Sequence, residues 1–114
     1  MDFKPLLKSA LGEEPCDLLF KNAKFANLCT MEYETGGIAV KDGVIVGIGG
    51  GYAAKETVDC AGHLLLPGFI EGHMHVESTF MVPRNLAAEI SPHGTTTVMP
   101  DPHEIANTCG TDAP

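Results

Sequence analysis

The stretch covering residues 69–99 constrains the fold most, because it reads as strand, helix and strand in close succession. The apolar segment Phe69–Val76 predicts a buried strand, and the β-branched segment Thr95–Met99 predicts a second one. Between them, Val82–Ile90 predicts a helix. Such a unit pairs its strands in parallel through a right-handed crossover. One unit cannot close a sheet or cover both of its faces, so we expect the chain to be the N-terminal piece of a longer α/β protein.

The sequence before this stretch predicts a different kind of unit. Residues 3–12 carry apolar side chains at helical spacing, which predicts a short amphipathic helix. Residues 17–59 then predict short strands, and an Asp-Gly pair at residues 42–43 predicts a tight hairpin within an antiparallel all-β unit. A Pro-Gly pair at residues 67–68 marks the predicted domain boundary.

Several local boundaries can be predicted within these units. We expect one strand over residues 18–22, a second over residues 24–29 and a turn at residues 34–37. The glycine-rich residues 47–51 lack the last glycine and the following helix of a dinucleotide-binding loop, which indicates a turn at a strand end. After the last predicted strand, the polar residues 100–104 predict a loop.

Charge and cysteine usage exclude several classes of protein. The chain has 7 basic and 15 acidic residues, a net charge of −8, and it contains no basic cluster that would neutralise the phosphates of a nucleic acid. Its apolar stretches are too short to span a bilayer, and its first residues lack the layout of a signal peptide. The 4 cysteines form no Cys-x-x-Cys pair, which favours reduced thiols and a cytoplasmic location.

Two histidines lie one residue apart at the end of the first strand of the strand–helix–strand unit. Because side chains on a strand alternate between its faces, we expect His73 and His75 to point the same way. Two imidazoles that converge from one face can bind a single transition-metal ion. For a bare His-x-His, the alternative is a pair of partly exposed histidines at a strand end. Glu77 continues the same parity if the strand extends that far.

Further polar residues follow the second strand of the same unit, namely Asp101, His103 and Glu104. In an α/β barrel the loops after the strands build the active site, so these residues are candidates for shaping a substrate pocket or orienting a metal ligand. Glu77 is a candidate to accept a hydrogen bond from a metal ligand, or to contact the substrate. For all of these residues, the alternative is a turn or loop position whose polar group caps a helix.

The motifs around these residues resemble a known superfamily. Residues 65–75, Leu-Leu-Pro-Gly-Phe-Ile-Glu-Gly-His-Met-His, are similar to the start of the barrel in metal-dependent amidohydrolases. Three further runs narrow the resemblance to the adenine deaminase family of bacteria and archaea. They are His-Met-His-Val-Glu-Ser at residues 73–78, Pro-His-Gly-Thr-Thr-Thr-Val at residues 92–98 and Asp-Pro-His-Glu-Ile-Ala-Asn at residues 101–107. The resemblance covers nearly the whole chain.

The resemblance implies an α/β fold in two incomplete parts. Residues 1–66 would form the N-terminal helix and the first part of a small β-sandwich-like domain. Residues 67–114 would form the first βαβ unit of a (β/α)8 barrel, the TIM-barrel architecture of the hydrolase domain. Further metal ligands and a proton-shuttling aspartate would lie after residue 114.

The resemblance also implies an activity, the hydrolysis of adenine to hypoxanthine and ammonia in purine salvage. A metal-activated hydroxide would attack C6 of adenine. His73 and His75 would be metal ligands, and Glu77, Asp101 and His103 are the candidate catalytic residues. The cofactor would be a divalent transition metal, namely manganese, iron or zinc, in a binuclear centre of the full-length protein.

Adenine is the expected small-molecule partner; we expect no nucleic acid or membrane partner, and a homodimer is left open. Two other functions stay open as well. The protein could be another amidohydrolase, such as a cyclic amidase or an amino-sugar deacetylase. It could also be a truncated, non-catalytic chain. In every case we expect the 114 residues alone to be inactive toward adenine, because two histidines make only a weak, open metal site.

Overall fold

The computed structural model describes residues 2–112, and the chain divides into two compact units at the Leu66–Pro67 bond. The elements of the first unit are α1 (Phe3–Ala10), β1 (Cys16–Asn27), β2 (Glu32–Lys41), β3 (Val44–Gly49), β4 (Ala54–Asp59) and β5 (Leu64–Leu65). Those of the second unit are β6 (Phe69–Met74), α2 (Pro83–Ile90), β7 (Thr95–Pro100) and α3 (His103–Cys109). Within the described residues, no helix is long and apolar enough to cross a membrane.

Helix α1 confirms the helix predicted over residues 3–12. It begins after Asp2, whose side chain accepts a hydrogen bond from the backbone N–H of Lys4 at 3.0 Å. It ends before Gly12, which adopts a φ of +76° that favours glycine. Its buried residues, Leu6 and Ser9, lie one turn apart on the same face.

The first unit contains a mixed sheet rather than the predicted antiparallel one. The strand order is β3-β2-β1-β4, and β5 also pairs with β1. The pairs β1–β2 and β2–β3 are antiparallel, but β4 and β5 run parallel to β1. The segment after Gly49 crosses from β3 at one edge to the opposite edge, and this crossover gives β4 the same direction as β1. The prediction was wrong because local sequence patterns do not reveal such a crossover.

Two predicted strand ends in the first unit are also wrong. Strand β1 is continuous, although the pairing register with β2 shifts between Phe20 and Ala23. Asn22 in this bulge has a φ of +55°, so the strand bends there without ending. The turn predicted at residues 34–37 lies inside β2, where Gly37 pairs with Gly49 of β3.

The predicted hairpin at residues 42–43 is confirmed. Asp42 and Gly43 both have positive φ values, +50° and +75°, which suit the two central residues of a tight hairpin turn. Lys41 and Val44 pair directly on either side of the turn. The local Asp-Gly signal was therefore sufficient to place this connection.

In the second unit, β6 and β7 pair in parallel and α2 lies between them in the chain. The buried side chains of this unit include Val76 and Leu86. Strand β6 ends at Met74, so the predicted strand over residues 69–76 is too long by two residues. The backbone of Val76 is helical, and Glu77–Thr79 forms a short 3-10 turn. Glu77 therefore does not continue the strand alternation.

The polar loop predicted over residues 100–104 is shorter in the structure. Strand β7 includes Pro100, and α3 begins at His103. Pro102 occupies the residue before the helix, where the missing N–H of a proline costs nothing. As a result, His103 and Glu104 lie in the first turn of a helix.

Candidate metal site

The side chains predicted to form a site lie where β6 and β7 end. His73 is in the last part of β6, and His75 follows the strand directly. Their ring centroids are 4.9 Å apart. The backbone N–H of Asp101 donates to the carbonyl of Met74 at 2.8 Å. This bond holds the segment after β7 beside the two histidines, because neighbouring parallel strands end at the same edge of the sheet.

The first possible donor set consists of His73, His75 and Asp101. One ligand atom from each lies within 4.8 Å of the others. The shortest approach recorded between His73 and Asp101 is 3.7 Å, from Nε2 to Oδ2. The side chain of His75 is 32% exposed, whereas those of His73 and Asp101 are at least half exposed, so the set is open to solvent. Two imidazoles and a carboxylate are ligands that zinc, iron and manganese accept.

A second donor set, His75, His103 and Glu104, lies beside the first and meets the same 4.8 Å limit. The rings of His75 and His103 are 4.8 Å apart and nearly perpendicular. His75 Nδ1 lies 3.7 Å from Glu104 Oε2. His75 belongs to both sets, but a neutral imidazole has only one nitrogen with a free lone pair. The two sets therefore cannot both use His75 as a neutral ligand at the same time.

The electrostatics of the cluster keep Asp101 ionised. A hydrogen bond from His103 lowers the pKa of the Asp101 carboxyl, and Nδ1 of His103 lies 3.3 Å from its Oδ1. Desolvation opposes this shift, and the charges of His103, His75 and His73 reinforce it. Asp101 is thus available as a negatively charged ligand.

Glu77 lies outside both donor sets. Its Oε1 accepts a hydrogen bond from the backbone N–H of Ile105 at 3.1 Å, in the first turn of α3. The backbone N–H groups of Glu77 itself and of Ile105 lower the pKa of the Glu77 carboxyl, and desolvation opposes the shift. This contact matches the helix-capping alternative considered for Glu77. The catalytic role predicted for Glu77 stays a prediction.

Two buried polar atoms in this region have no hydrogen-bond partner within the described part of the chain, His75 Nδ1 and Glu77 Oε2. Leaving a buried polar atom without a partner is unfavourable. A nearby cation or a reoriented neighbour would remove part of that cost. The donor types of the two sets fit a divalent transition metal.

Glu104, one of the residues predicted to shape a pocket or orient a metal ligand, lies on α3 beside His75. Sequence reasoning grouped Glu104 with Asp101 and His103 as polar residues of one loop. In the structure Asp101 precedes α3, whereas His103 and Glu104 lie in its first turn, and Glu104 is near His75. The available signal was Pro102 directly before His103, since proline is common where helices begin.

The sequence of this chain is similar to those of known proteins. Residues 64–114 match the Amidohydrolase family. The chain is 45% identical over 114 residues to an adenine deaminase of Methanoregula boonei, covering 96% of this chain and 20% of that protein. It is 47% identical over 108 residues to adenine deaminase 2 of Carboxydothermus hydrogenoformans, covering 95% of this chain and 19% of that protein. The chain thus spans about a fifth of the length of the curated relatives it matches.

A solved structure is similar as well. It is an N-acyl-D-glutamate deacylase of Bordetella bronchiseptica, complexed with zinc and a phosphonate inhibitor. The TM-score is 0.61 at 28% identity, over 75% of this chain and 18% of that one.

These matches confirm the resemblance to the metal-dependent amidohydrolase superfamily and an α/β fold of that type. Within the superfamily, they also confirm the narrower resemblance, to adenine deaminase.

Proposed function

We propose that this chain supplies the first metal ligands of an adenine deaminase, a metal-dependent hydrolase. The reaction adds water to adenine and gives hypoxanthine and ammonia. The oxygen of water bonds to C6, and the bond from C6 to the amino nitrogen breaks. One proton of the water goes to the departing nitrogen, which leaves as ammonia, and the other stays on the ring nitrogen next to C6. The observation that carries the proposal is the convergence of His73, His75 and Asp101 at the ends of two parallel strands.

His73 and His75 would hold a divalent metal, with Asp101 as a third donor. When bound, such a metal supplies Lewis acidity that lowers the pKa of water to near neutrality. Asp101 and His103 are in contact at the edge of this donor set. His103, whose Nδ1 lies 3.3 Å from Oδ1 of Asp101, is the candidate proton donor to the departing amino group. Glu77 would act through α3, by fixing the first turn of that helix.

The proposed architecture has two parts. Residues 67–114 would be the first βαβ unit of a (β/α)8 barrel, and residues 1–66 would belong to a β-sandwich-like domain. The parallel pairing of β6 with β7 supports the first assignment. The site donors follow the carboxyl ends of these strands, which is where (β/α)8 enzymes carry their active sites. For the second part, the five-stranded sheet of the first unit would be one layer of a sandwich.

Zinc, iron and manganese all fit the donor set, and the deacylase described above was solved with zinc. Three donors suffice for one ion, so the second ion of a binuclear centre would need ligands from other parts of the enzyme. Adenine would be the substrate, and the enzyme would serve purine salvage in the cytoplasm.

The test is an assay of ammonia release from adenine by the enzyme that contains this sequence. We expect turnover that requires a divalent metal, and we expect His73→Asn and His75→Asn each to abolish it. His93→Asn is the matched control, because His93 is exposed and lies outside both donor sets. Undiminished turnover in either ligand variant would refute the assignment.

A second candidate is another amidohydrolase, a cyclic amidase or an amino-sugar deacetylase. The structural similarity to the N-acyl-D-glutamate deacylase favours keeping this alternative. Hydantoin and N-acetylated amino sugars, offered in the same assay, separate the candidates. Hydrolysis of either one with no release of ammonia from adenine would favour the alternative. The 114-residue chain by itself should release no ammonia from adenine, in line with a non-catalytic fragment.

A further inference from the structure

The surroundings of His75 differ from one side of its ring to the other. The ring as a whole is 32% exposed, yet its Nδ1 atom is buried and lacks a hydrogen-bond partner among residues 2–112. The exposure therefore falls on other atoms of the side chain. The carboxylate oxygen Oε2 of Glu104 lies 3.7 Å from Nδ1. This distance is longer than a hydrogen bond, and the Glu104 side chain is 46% exposed.

We propose that Glu104 is a positioning residue for His75. It accepts the proton of Nδ1–H, and this fixes the ring so that Nε2 carries the free lone pair. Metal-binding histidines in proteins are commonly oriented by a carboxylate on their other nitrogen. The inference rests on the proposed function of His73 and His75 as metal ligands.

The competing role for Glu104 is that of a direct ligand together with His75 and His103. In that case His75 would bind the metal together with His103 and Glu104. It would then no longer be available as a ligand in the set formed with His73 and Asp101. Two observations favour the positioning role. The buried Nδ1 is the nitrogen less accessible to an ion from solvent, and His73 lies beside the same ring at 4.9 Å.

The position of Glu104 is fixed from two directions. The helix that carries it is held by the hydrogen bond from the backbone N–H of Ile105 to Glu77. Its second carboxylate oxygen, Oε1, lies 3.8 Å from Nε2 of His103. Glu104 therefore lies between two imidazoles and on a helix whose first turn is anchored.

The first measurement is the tautomer of His75, read from the nitrogen chemical shifts of its ring by NMR. It is made on the 114-residue chain without metal at about pH 8, where an ordinary imidazole is neutral. We expect the Nδ1–H form in the wild-type chain and in Glu104→Gln, which keeps an acceptor oxygen. We expect Glu104→Ala to shift His75 toward the Nε2–H form. An unchanged tautomer in Glu104→Ala would overturn the proposal.

The second measurement is the binding of Zn²⁺ to the same chain by calorimetry. Glu104→Ala should weaken binding by about 10–100-fold, and Glu104→Gln should weaken it much less. Equal losses in both variants would identify Glu104 as a direct ligand and would overturn the positioning role. Glu89→Gln is the control, because Glu89 is an exposed carboxylate on α2.

The two measurements also distinguish this inference from the proposed function. If neither the wild-type chain nor the enzyme that contains it binds Zn²⁺ while the tautomer still depends on Glu104, the metal assignment fails and the contact with His75 stands. If Zn²⁺ binds but the tautomer does not depend on Glu104, only the positioning role fails.

Discussion

The carboxylate of Glu77 accepts a hydrogen bond from the backbone N–H of Ile105, 28 residues further along the chain, at 3.1 Å. The acceptor lies in the turn after β6, and the donor lies in the first turn of α3. The two segments joined by this bond also carry His75 and Glu104, which face each other. This one hydrogen bond, from a backbone N–H to a side chain, therefore helps to set the spacing of the metal-site side chains.

This contact predicts that Glu77→Ala loosens the start of α3. The backbone N–H of Ile105 would lose its acceptor, because the first N–H groups of a helix have no partner within the helix. We expect amide hydrogen exchange at Ile105 to rise several-fold, measured by NMR. Glu77→Gln should change the exchange less, since the amide oxygen still accepts. Ser78→Ala is the control, and an equal rise in that variant would show that the effect is not specific to the carboxylate.

The two donor sets predict unequal effects for the two histidines. His75 belongs to both sets and His73 to only one, so removing His75 leaves no complete set. We expect His75→Asn to eliminate Zn²⁺ binding to the chain. We expect His73→Asn to weaken Zn²⁺ binding as well. The loss should exceed the roughly 10–100-fold that is typical when a residue that hydrogen-bonds to a metal ligand is removed. Calorimetry with His93→Asn as the reference checks both, and wild-type affinity in His75→Asn would contradict the predicted order.

Local sequence patterns were sufficient to predict that the two histidines lie side by side. They were insufficient to predict the positions of the other residues of the site. His73 and His75 are two residues apart in extended chain, so the alternation of side chains decides where they point. The approach of Glu104 to His75 depends instead on the register of β6 against β7 and on where α3 begins. Both are set by contacts between distant parts of the chain. Neither can be derived from the spacing of residues.

The features of the fold can likewise be divided into those that a local sequence pattern predicts and those that it does not. The hairpin at residues 42–43 follows from a local signal, the tolerance of Asp-Gly for positive φ values. The parallel pairing of β4 with β1 depends on a crossover of the whole segment after β3, and no local pattern encodes it. The two glycines at residues 36–37 were misread as a turn, because a glycine also occurs where two strands approach too closely for a side chain.

A carboxylate in the first unit predicts a dependence on pH. Hydrogen bonds from the backbone N–H of Asp42 and from the ammonium groups of Lys55 and Lys41 hold the pKa of Asp17 well below its usual range. A lowered pKa in the folded state stabilises the fold above the unfolded pKa, and this contribution is lost as the pH falls toward the folded value. We expect amide exchange at Asp42 to stay slow until the solution is more acidic than the usual titration range of an aspartate. In Asp17→Ala, which removes the acceptor, it should be fast at neutral pH already, and Glu56→Gln should behave as the wild type.

The close approach of β2 and β3 predicts a specific intolerance at Gly37. A Cβ at this position would lie 2.7 Å from the carbonyl oxygen of Gly49 and 3.2 Å from the side chain of Leu19. Because the first obstacle is backbone, it cannot move without shifting the strand, and we expect Gly37→Ala to cost about 1–3 kcal/mol. The measurement is amide hydrogen exchange across the β2–β3 pair. Gly50→Ala is the matched control, since nothing lies within 4 Å of a Cβ there and its φ is not in the left-handed region. Equal protection in the two variants would mean that the glycine at position 37 is not needed for strand packing.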